Sequence, residues 1–94
     1  MTNIDFASLP DAEAARLMAE KDGLSPRPYT TSLDAAVAWL ARMGLRWVRY
    51  VSADCVGVSN GTEWFTCAES DTCPTARALC NAGWQAVQAR EAQA

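Results

Sequence analysis

The chain has 94 residues, half of them hydrophobic and 20% charged, so its composition predicts one small folded domain. Its 8 lysines and arginines against 11 acidic residues give a net charge of −3, which argues against a general nucleic-acid-binding protein with a basic face. Histidine is absent, which excludes Ser-His-Asp and Cys-His catalysis and any histidine-liganded metal.

The N-terminus lacks the basic start and the apolar stretch of a secretory signal peptide. The apolar run over residues 35–41 ends at Arg42 and is far too short to cross a bilayer. We therefore expect a cytoplasmic protein that has no membrane contact and keeps its cysteines reduced.

Residues 1–7 are predicted to be a tail that Ile4 and Phe6 can anchor, ahead of an ordered core over about residues 8–91 of a single domain. Ser8 is the predicted cap of a first helix, which covers residues 12–21 and ends at Asp22-Gly23.

Two further helices are predicted. Thr31 and Asp34 stand in capping-box spacing at the start of the second. The third is capped by Asp71 or Thr72 and runs to about Arg90. Its interior Gly83 predicts close packing of this helix on the sheet, because glycine within a helix costs about 1 kcal/mol unless something local compensates.

The middle of the chain is rich in β-branched and aromatic residues. It predicts three antiparallel strands at about residues 45–51, 55–59 and 62–68. Asn60-Gly61 is a strong signal for a two-residue hairpin turn, which would place Gly57 opposite Trp64.

Both faces of that sheet carry large apolar side chains. The first strand adds Trp47 to one face and Tyr50 to the other, so we expect both faces to be covered by helices or by another subunit. The second and third strands divide into one face with Val56, Val58, Phe65 and Cys67, and another with Cys55, Gly57, Trp64 and Thr66.

The predicted fold is therefore α+β, in the order α-α-β-β-β-α, with a three-stranded antiparallel meander, two N-terminal helices and one C-terminal helix in an α/β/α sandwich. The four cysteines have gaps of eleven, five and six residues, which do not match a zinc site. We expect them to be free, metal-free and mostly small buried hydrophobes. They are Cys55, Cys67, Cys73 and Cys80.

The sequence shows one local excess of positive charge and four tryptophans, and both features suit a protein interface. The alternative is that the arginine stems pack over aromatic rings and that most tryptophans are core. Arg46 and Arg49 alternate along one strand and so lie on opposite faces. The candidate partner-binding residues are Arg42, Arg46, Arg49, Tyr50 and Trp64.

The element order is similar to that of the double-stranded-RNA-binding domain, which binds RNA through a lysine-rich start of its last helix. Residues 71–77 of this chain contain one basic residue, Arg77, so charge argues against RNA binding.

Three segments resemble the phage ABA sandwich domain, a family of small proteins of tailed phages and prophages. They are Ala19-Glu20-Lys21, residues 28–36 (PYTTSLDAA) and residues 71–80 (DTCPTARALC). The order of segments agrees over about residues 10–90, although Asp22-Gly23-Leu24 stands where the family often has Gly-Trp. The resemblance implies helices on both sides of the sheet and implies no known activity.

Two function classes follow. The first is a phage or prophage accessory protein that binds a host protein or protein complex stoichiometrically in the bacterial cytoplasm, as anti-CRISPR-like inhibitors do. The second is a small-ligand-binding protein with a pocket between sheet and helices, or a phage structural or assembly protein. In either class we expect no catalytic residue, cofactor, metal or nucleic acid, and self-association stays open.

Overall fold

The computed structural model describes residues 5–25 and 27–92. It confirms the α+β class and the order α-α-β-β-β-α. The helices are α1 (Asp11–Asp22), α2 (Leu33–Arg42) and α3 (Thr75–Ala92), and the strands are β1 (Arg46–Tyr50), β2 (Cys55–Ser59) and β3 (Trp64–Ala68). Short 3-10 turns lie at Phe6–Ser8 and Val51–Ala53.

The sheet is an antiparallel meander in the order β1-β2-β3, but the predicted register was wrong. Ser59, not Gly57, pairs with Trp64, and Val58 pairs with Phe65. The two central residues of the turn are therefore Gly61 and Thr62, one position later than predicted. A turn displaced by one residue shifts the pairing by two, so every side chain stays on its predicted face.

Asn60 explains the displaced turn. Its Oδ1 accepts hydrogen bonds from the backbone amides of Thr62 and Glu63, while its Nδ2 donates to the Ala86 carbonyl on α3 at 3.0 Å. Gly61 takes the positive φ of 99° that the turn requires. The side chain of Asn60 thus serves α3 and the turn together and lies beside the turn's centre.

Helix α3 forms the middle layer of the molecule. Every residue from Ala76 to Val87 is buried except Gln85, so the helix is enclosed around most of its circumference. It packs against β2 and β3 on one side and against α2 on the other. The layers are therefore the sheet, then α3, then the α1–α2 pair.

Gly83 lies where α3 closely approaches a neighbouring element. A Cβ built on it would lie 2.6 Å from Leu40 Cδ2 and 3.3 Å from Trp39 Cζ3, both on α2. The prediction that Gly83 packs α3 on the sheet was wrong. The tight contact is between two helices, where glycine lets the backbones approach.

The second face of the sheet differs from the expected sandwich. In the described part of the chain, both helical layers lie on one side of the sheet, and no helix covers the other side. On that side Val48, Tyr50 and Trp64 are exposed. The resemblance to an α/β/α sandwich implies helices on both sides, whereas the described residues provide them on one.

The N-terminal segment joins the core earlier than predicted. Phe6 is buried and stacks on Trp84 with ring centroids 4.8 Å apart. Ser8 does not cap α1, because its hydroxyl donates to Asp5 and Pro10 takes the cap position. Residues 1–4 of the predicted tail lie outside the described residues.

Two other predicted caps were wrong by position. Ser32, and not Thr31, caps α2 by accepting a hydrogen bond from the Ala35 amide at 3.3 Å. Helix α3 begins at Thr75, so Asp71 and Thr72 lie in the preceding turn. None of the helices in the described ranges has the length and apolar character needed to cross a membrane.

Candidate binding surface on the open sheet face

The uncovered side of the sheet is the largest exposed apolar feature that the sequence analysis singled out. We call it the open face. Because side chains alternate along a strand and the register is fixed, nine residues share it. They are Arg46, Val48, Tyr50, Cys55, Gly57, Ser59, Trp64, Thr66 and Ala68.

Gly57 is the floor of the open face, and three side chains converge over it. The position that its Cβ would take is 3.2 Å from Tyr50 Cε2, 3.4 Å from Trp64 Cε3 and 3.5 Å from Val48 Cγ2. Tyr50 on β1 and Trp64 on β3 reach Gly57 diagonally across the sheet. Trp64 therefore shields Gly57 although its paired residue on β2 is Ser59. Both rings thus lie over the same glycine.

These rings are exposed as well as packed. Trp64 is 52% exposed and Tyr50 45%, whereas Trp39 in the core is fully buried. Val51, in the turn directly after β1, is 70% exposed. An apolar surface with two aromatic rings at its centre is typical of a protein interface.

The three arginines of the predicted site do not form a patch. Arg46 lies on the open face, and within residues 5–25 and 27–92 no ion pair engages it. Arg49 lies on the helix side of β1, where its guanidinium donates to both carboxylate oxygens of Glu69. These hydrogen bonds, together with one from Thr75, hold the pKa of Glu69 below its ordinary value.

Arg42 is also committed to an internal contact. It ends α2 and donates to both carboxylate oxygens of Asp22, which ends α1. The hydrogen bonds from Arg42 lower the pKa of Asp22, and the Tyr29 hydroxyl adds a further hydrogen bond. The structure therefore brings together Arg46, Tyr50 and Trp64 of the five predicted residues.

Arg77 is a buried cation that the sequence analysis missed. Its guanidinium donates to Asn81 Oδ1, to Asp11 Oδ1 and to the carbonyls of Phe6 and Leu9. It thereby fixes the segment before α1 to α3. The signal in the sequence is a charged residue four positions before Asn81 within an otherwise small and apolar helical run.

A surface pocket of about 490 Å³ lies beside Arg77 and is also lined by Asp11, Cys73 and Asn81. Its volume is within the range of small-molecule sites. However, the donors of the Arg77 guanidinium are directed to protein acceptors, so this cation is already neutralised and hydrogen-bonded without a ligand.

The cysteines do not share one environment. Cys80 is buried, and desolvation raises its pKa to about 12. Cys55, Cys67 and Cys73 are half-buried, so the prediction of mostly buried cysteines was wrong for these three. No cluster of three cysteine or acidic residues able to hold a metal ion occurs in the described ranges.

Comparison of the chain with models of protein families, with curated proteins and with solved structures found no match. The resemblance to the phage ABA sandwich domain stays a prediction. The open face is therefore the feature of this protein from which a function can be inferred.

Proposed function

We propose that this protein acts by binding another protein stoichiometrically through its open face. The observation that carries the proposal is the pair of exposed rings, Tyr50 and Trp64, which both lie over Gly57. Aromatic side chains are the commonest anchors of protein interfaces, and rings already held by their neighbours lose little conformational entropy on binding.

The charges of the open face favour an acidic partner. The whole chain has a net charge of −3, yet the nine residues of the open face include Arg46 and no acidic side chain. A carboxylate on the partner can therefore pair with Arg46 beside an apolar contact to the rings. Such a charge at the rim mainly increases the association rate and the specificity.

The size of the open face sets how far the interface must extend. Three strands of five residues span roughly 17 Å by 10 Å, or about 170 Å², which is well below the roughly 800 Å² that each partner buries in a stable complex. Val51 and the turn at residues 60–63 border the face and supply adjoining surface. We infer that the bound partner covers them too.

The resemblance to small phage proteins supports a host protein or protein complex as the partner. In that setting, occupancy of a host surface is sufficient for inhibition, including inhibition of a defence system, and requires no catalytic group. The alternative occupant is a second copy of this chain. Measuring the oligomeric state of the wild-type protein distinguishes this copy from a host protein.

The test compares the wild-type protein with a Tyr50→Ser/Trp64→Ser double variant and with a Leu24→Ser/Leu33→Ser control. Leu24 and Leu33 are 42% and 45% exposed and lie outside the sheet, so the control removes similar exposed apolar side chains elsewhere. Each tagged protein is incubated with bacterial lysate, and any protein retained by the wild type is purified and titrated by calorimetry.

The expected result is one-to-one binding that the control preserves and the double variant weakens at least about 100-fold, the loss typical of two interface anchors. Circular dichroism and thermal melting verify that all three proteins fold. A purified partner that binds the double variant within threefold of wild type would contradict the proposal. So would a wild-type dimer, seen by light scattering, that the double variant abolishes, because the occupant is then a second copy.

A further inference from the structure

Two cysteines that are distant from the open face contact the same side chain. Cys67 is in β3 and points toward α3, and Cys73 lies two residues before α3 begins. Ser70 and Cys73 exchange two backbone hydrogen bonds, of 2.9 and 3.1 Å, which turn the chain back on itself. The turn brings Cys73 beside the end of β3.

One amide group contacts both sulfur atoms. Asn81 Nδ2 on α3 lies 3.8 Å from Cys67 Sγ and 3.7 Å from Cys73 Sγ. Its Oδ1 accepts from Arg77 Nε at 3.0 Å, which fixes the orientation of the amide with its NH2 group toward the thiols. An N–H donor shared by two sulfurs stabilises a thiolate on either one.

We propose that Cys67 and Cys73 form a dithiol site that hydrogen peroxide converts into an intrachain disulfide. The assignment rests on the shared Asn81 amide, whose Nδ2 lies within 3.8 Å of both sulfur atoms. It is independent of the proposed function, since both sulfurs lie on the helix side of the sheet, away from the open face.

The reaction balances with the peroxide as oxidant. One thiolate attacks a peroxide oxygen, the O–O bond breaks, and a sulfenic acid and one water form. The second sulfur then displaces the hydroxyl group from the sulfenic sulfur, which forms the S–S bond and releases a second water. The two sulfurs are oxidised by two electrons in total, and the peroxide is reduced to two water molecules.

The surroundings restrict this reaction to one pair. Cys73 lines the pocket beside Arg77, which gives a small peroxide access, and Cys67 is half-buried next to it. Burial raises the pKa of the Cys73 thiol, and the neighbouring Cys67 adds to this effect, so attack by this sulfur on the peroxide should become faster as the pH rises. Cys80 is buried, and Cys55 points to the opposite face of the sheet.

The experiment treats the native protein with hydrogen peroxide, blocks the remaining thiols, and cleaves without reduction after glutamate and after lysine and arginine. Cleavage after Arg49, Glu63, Glu69 and Arg77 places each of the four cysteines in a separate peptide. The expected product is a single reductant-sensitive cross-link between the peptides of residues 64–69 and 70–77, with intact mass lowered by two hydrogen atoms and no dimer.

The denatured chain supplies the matched control. Five residues separate Cys67 from Cys73 and six separate Cys73 from Cys80, so both pairs form to a similar extent when the chain is unfolded. In the native protein we expect at least a tenfold excess of the Cys67–Cys73 product, which Cys67→Ser and Cys73→Ser abolish and Cys55→Ser preserves. Asn81→Asp keeps the acceptor for Arg77 but replaces the NH2 donor with a negative charge, so the oxidation should slow severalfold and shift to higher pH.

Three results would overturn the proposal. The first is a native mixture of pairs like that of the denatured chain. The second is stable sulfinic acid on both cysteines without a cross-link. The third is unchanged thiols at Cys67 and Cys73 under conditions that fully oxidise N-acetylcysteine in the same tube.

Discussion

Gly83 lies so close to Leu40 that a Cβ on the glycine would be 2.6 Å from Leu40 Cδ2. The contact joins α3 to α2, and because Leu40 is 1% exposed its side chain could make room only by displacing closely packed neighbours. A glycine in the middle of an 18-residue helix is thereby explained by its neighbour. The separation of these two helices is set at this point.

We predict that Gly83→Leu destabilises the protein by several kcal/mol, because overpacking a rigid core costs about 1–3 kcal/mol even for smaller additions. Gly83→Ala should cost less, since alanine recovers about 1 kcal/mol of helix propensity. Urea denaturation measures both. In the Gly83→Ala/Leu40→Ala double variant the new methyl group has room. The loss of stability in the double variant should therefore be smaller than the sum of the losses in the two single variants. A loss in the double variant equal to that sum would show that the contact between residues 83 and 40 does not cause the destabilisation.

We predict that Arg77→Met destabilises the fold by about 1–3 kcal/mol for each buried acceptor that it leaves without a donor. The Phe6 and Leu9 carbonyls lose their donor, and Asp11 loses its cation. The matched control is Arg16→Met on α1, whose ion pairs are exposed to solvent and contribute little to stability. Equal melting temperatures for the two variants would contradict this account of Arg77.

The contact between Asp22 and Arg42 predicts a dependence of stability on pH. The folded state holds the pKa of Asp22 below its ordinary value, chiefly through the Arg42 hydrogen bonds, so the unfolded chain binds more protons in acid. This contribution is fully present above the unfolded pKa of about 3.9 and is lost as the pH falls through the folded value.

Asp22→Asn should therefore be less stable than wild type at pH 7, and the difference should narrow steadily below about pH 4. Denaturant titrations from pH 7 to pH 2 measure it. Glu13→Gln is the control, because the Glu13–Arg16 pair is exposed on the surface of α1. A difference between Asp22→Asn and wild type that stays constant with pH would rule out the Asp22 carboxylate as its source.

Gly57→Ala tests the arrangement of the open face without deleting a ring. The new methyl group would lie 3.2 Å from Tyr50 and 3.4 Å from Trp64, so the exposed rings must move apart. We expect the free energy of unfolding to change by less than about 1 kcal/mol, because exposed side chains can adjust. The indole NMR signal of Trp64 should shift while those of Trp39 and Trp84 stay. An unshifted Trp64 signal would mean that Gly57 does not position the ring.

The hairpin shows how far the sequence predicts this fold. Strand alternation assigned each residue of β2 and β3 to the correct face, because faces depend only on parity. The predicted register was wrong because local sequence statistics place Asn60 at the centre of the turn. Its amide also hydrogen-bonds the Ala86 carbonyl on α3, a contact 26 residues away that no local pattern contains.

The layer order was equally beyond the sequence. Alanine, glycine and cysteine on several faces of α3 are compatible with a weakly amphipathic surface helix and with a central one. Only the positions of α2 and the sheet decide between them. For the same reason Arg77 was overlooked, since the acceptors that surround it come from the segment before α1.

The central place of α3 has a consequence for synthesis on the ribosome. The sheet and the α1–α2 pair emerge first, yet most of their mutual packing passes through a helix that is translated after both. Until Thr75–Ala92 leaves the exit tunnel, Trp39, Leu40, Val56 and Val58 lack the surface that buries them. We therefore expect the stable fold to form only after α3 has been synthesised.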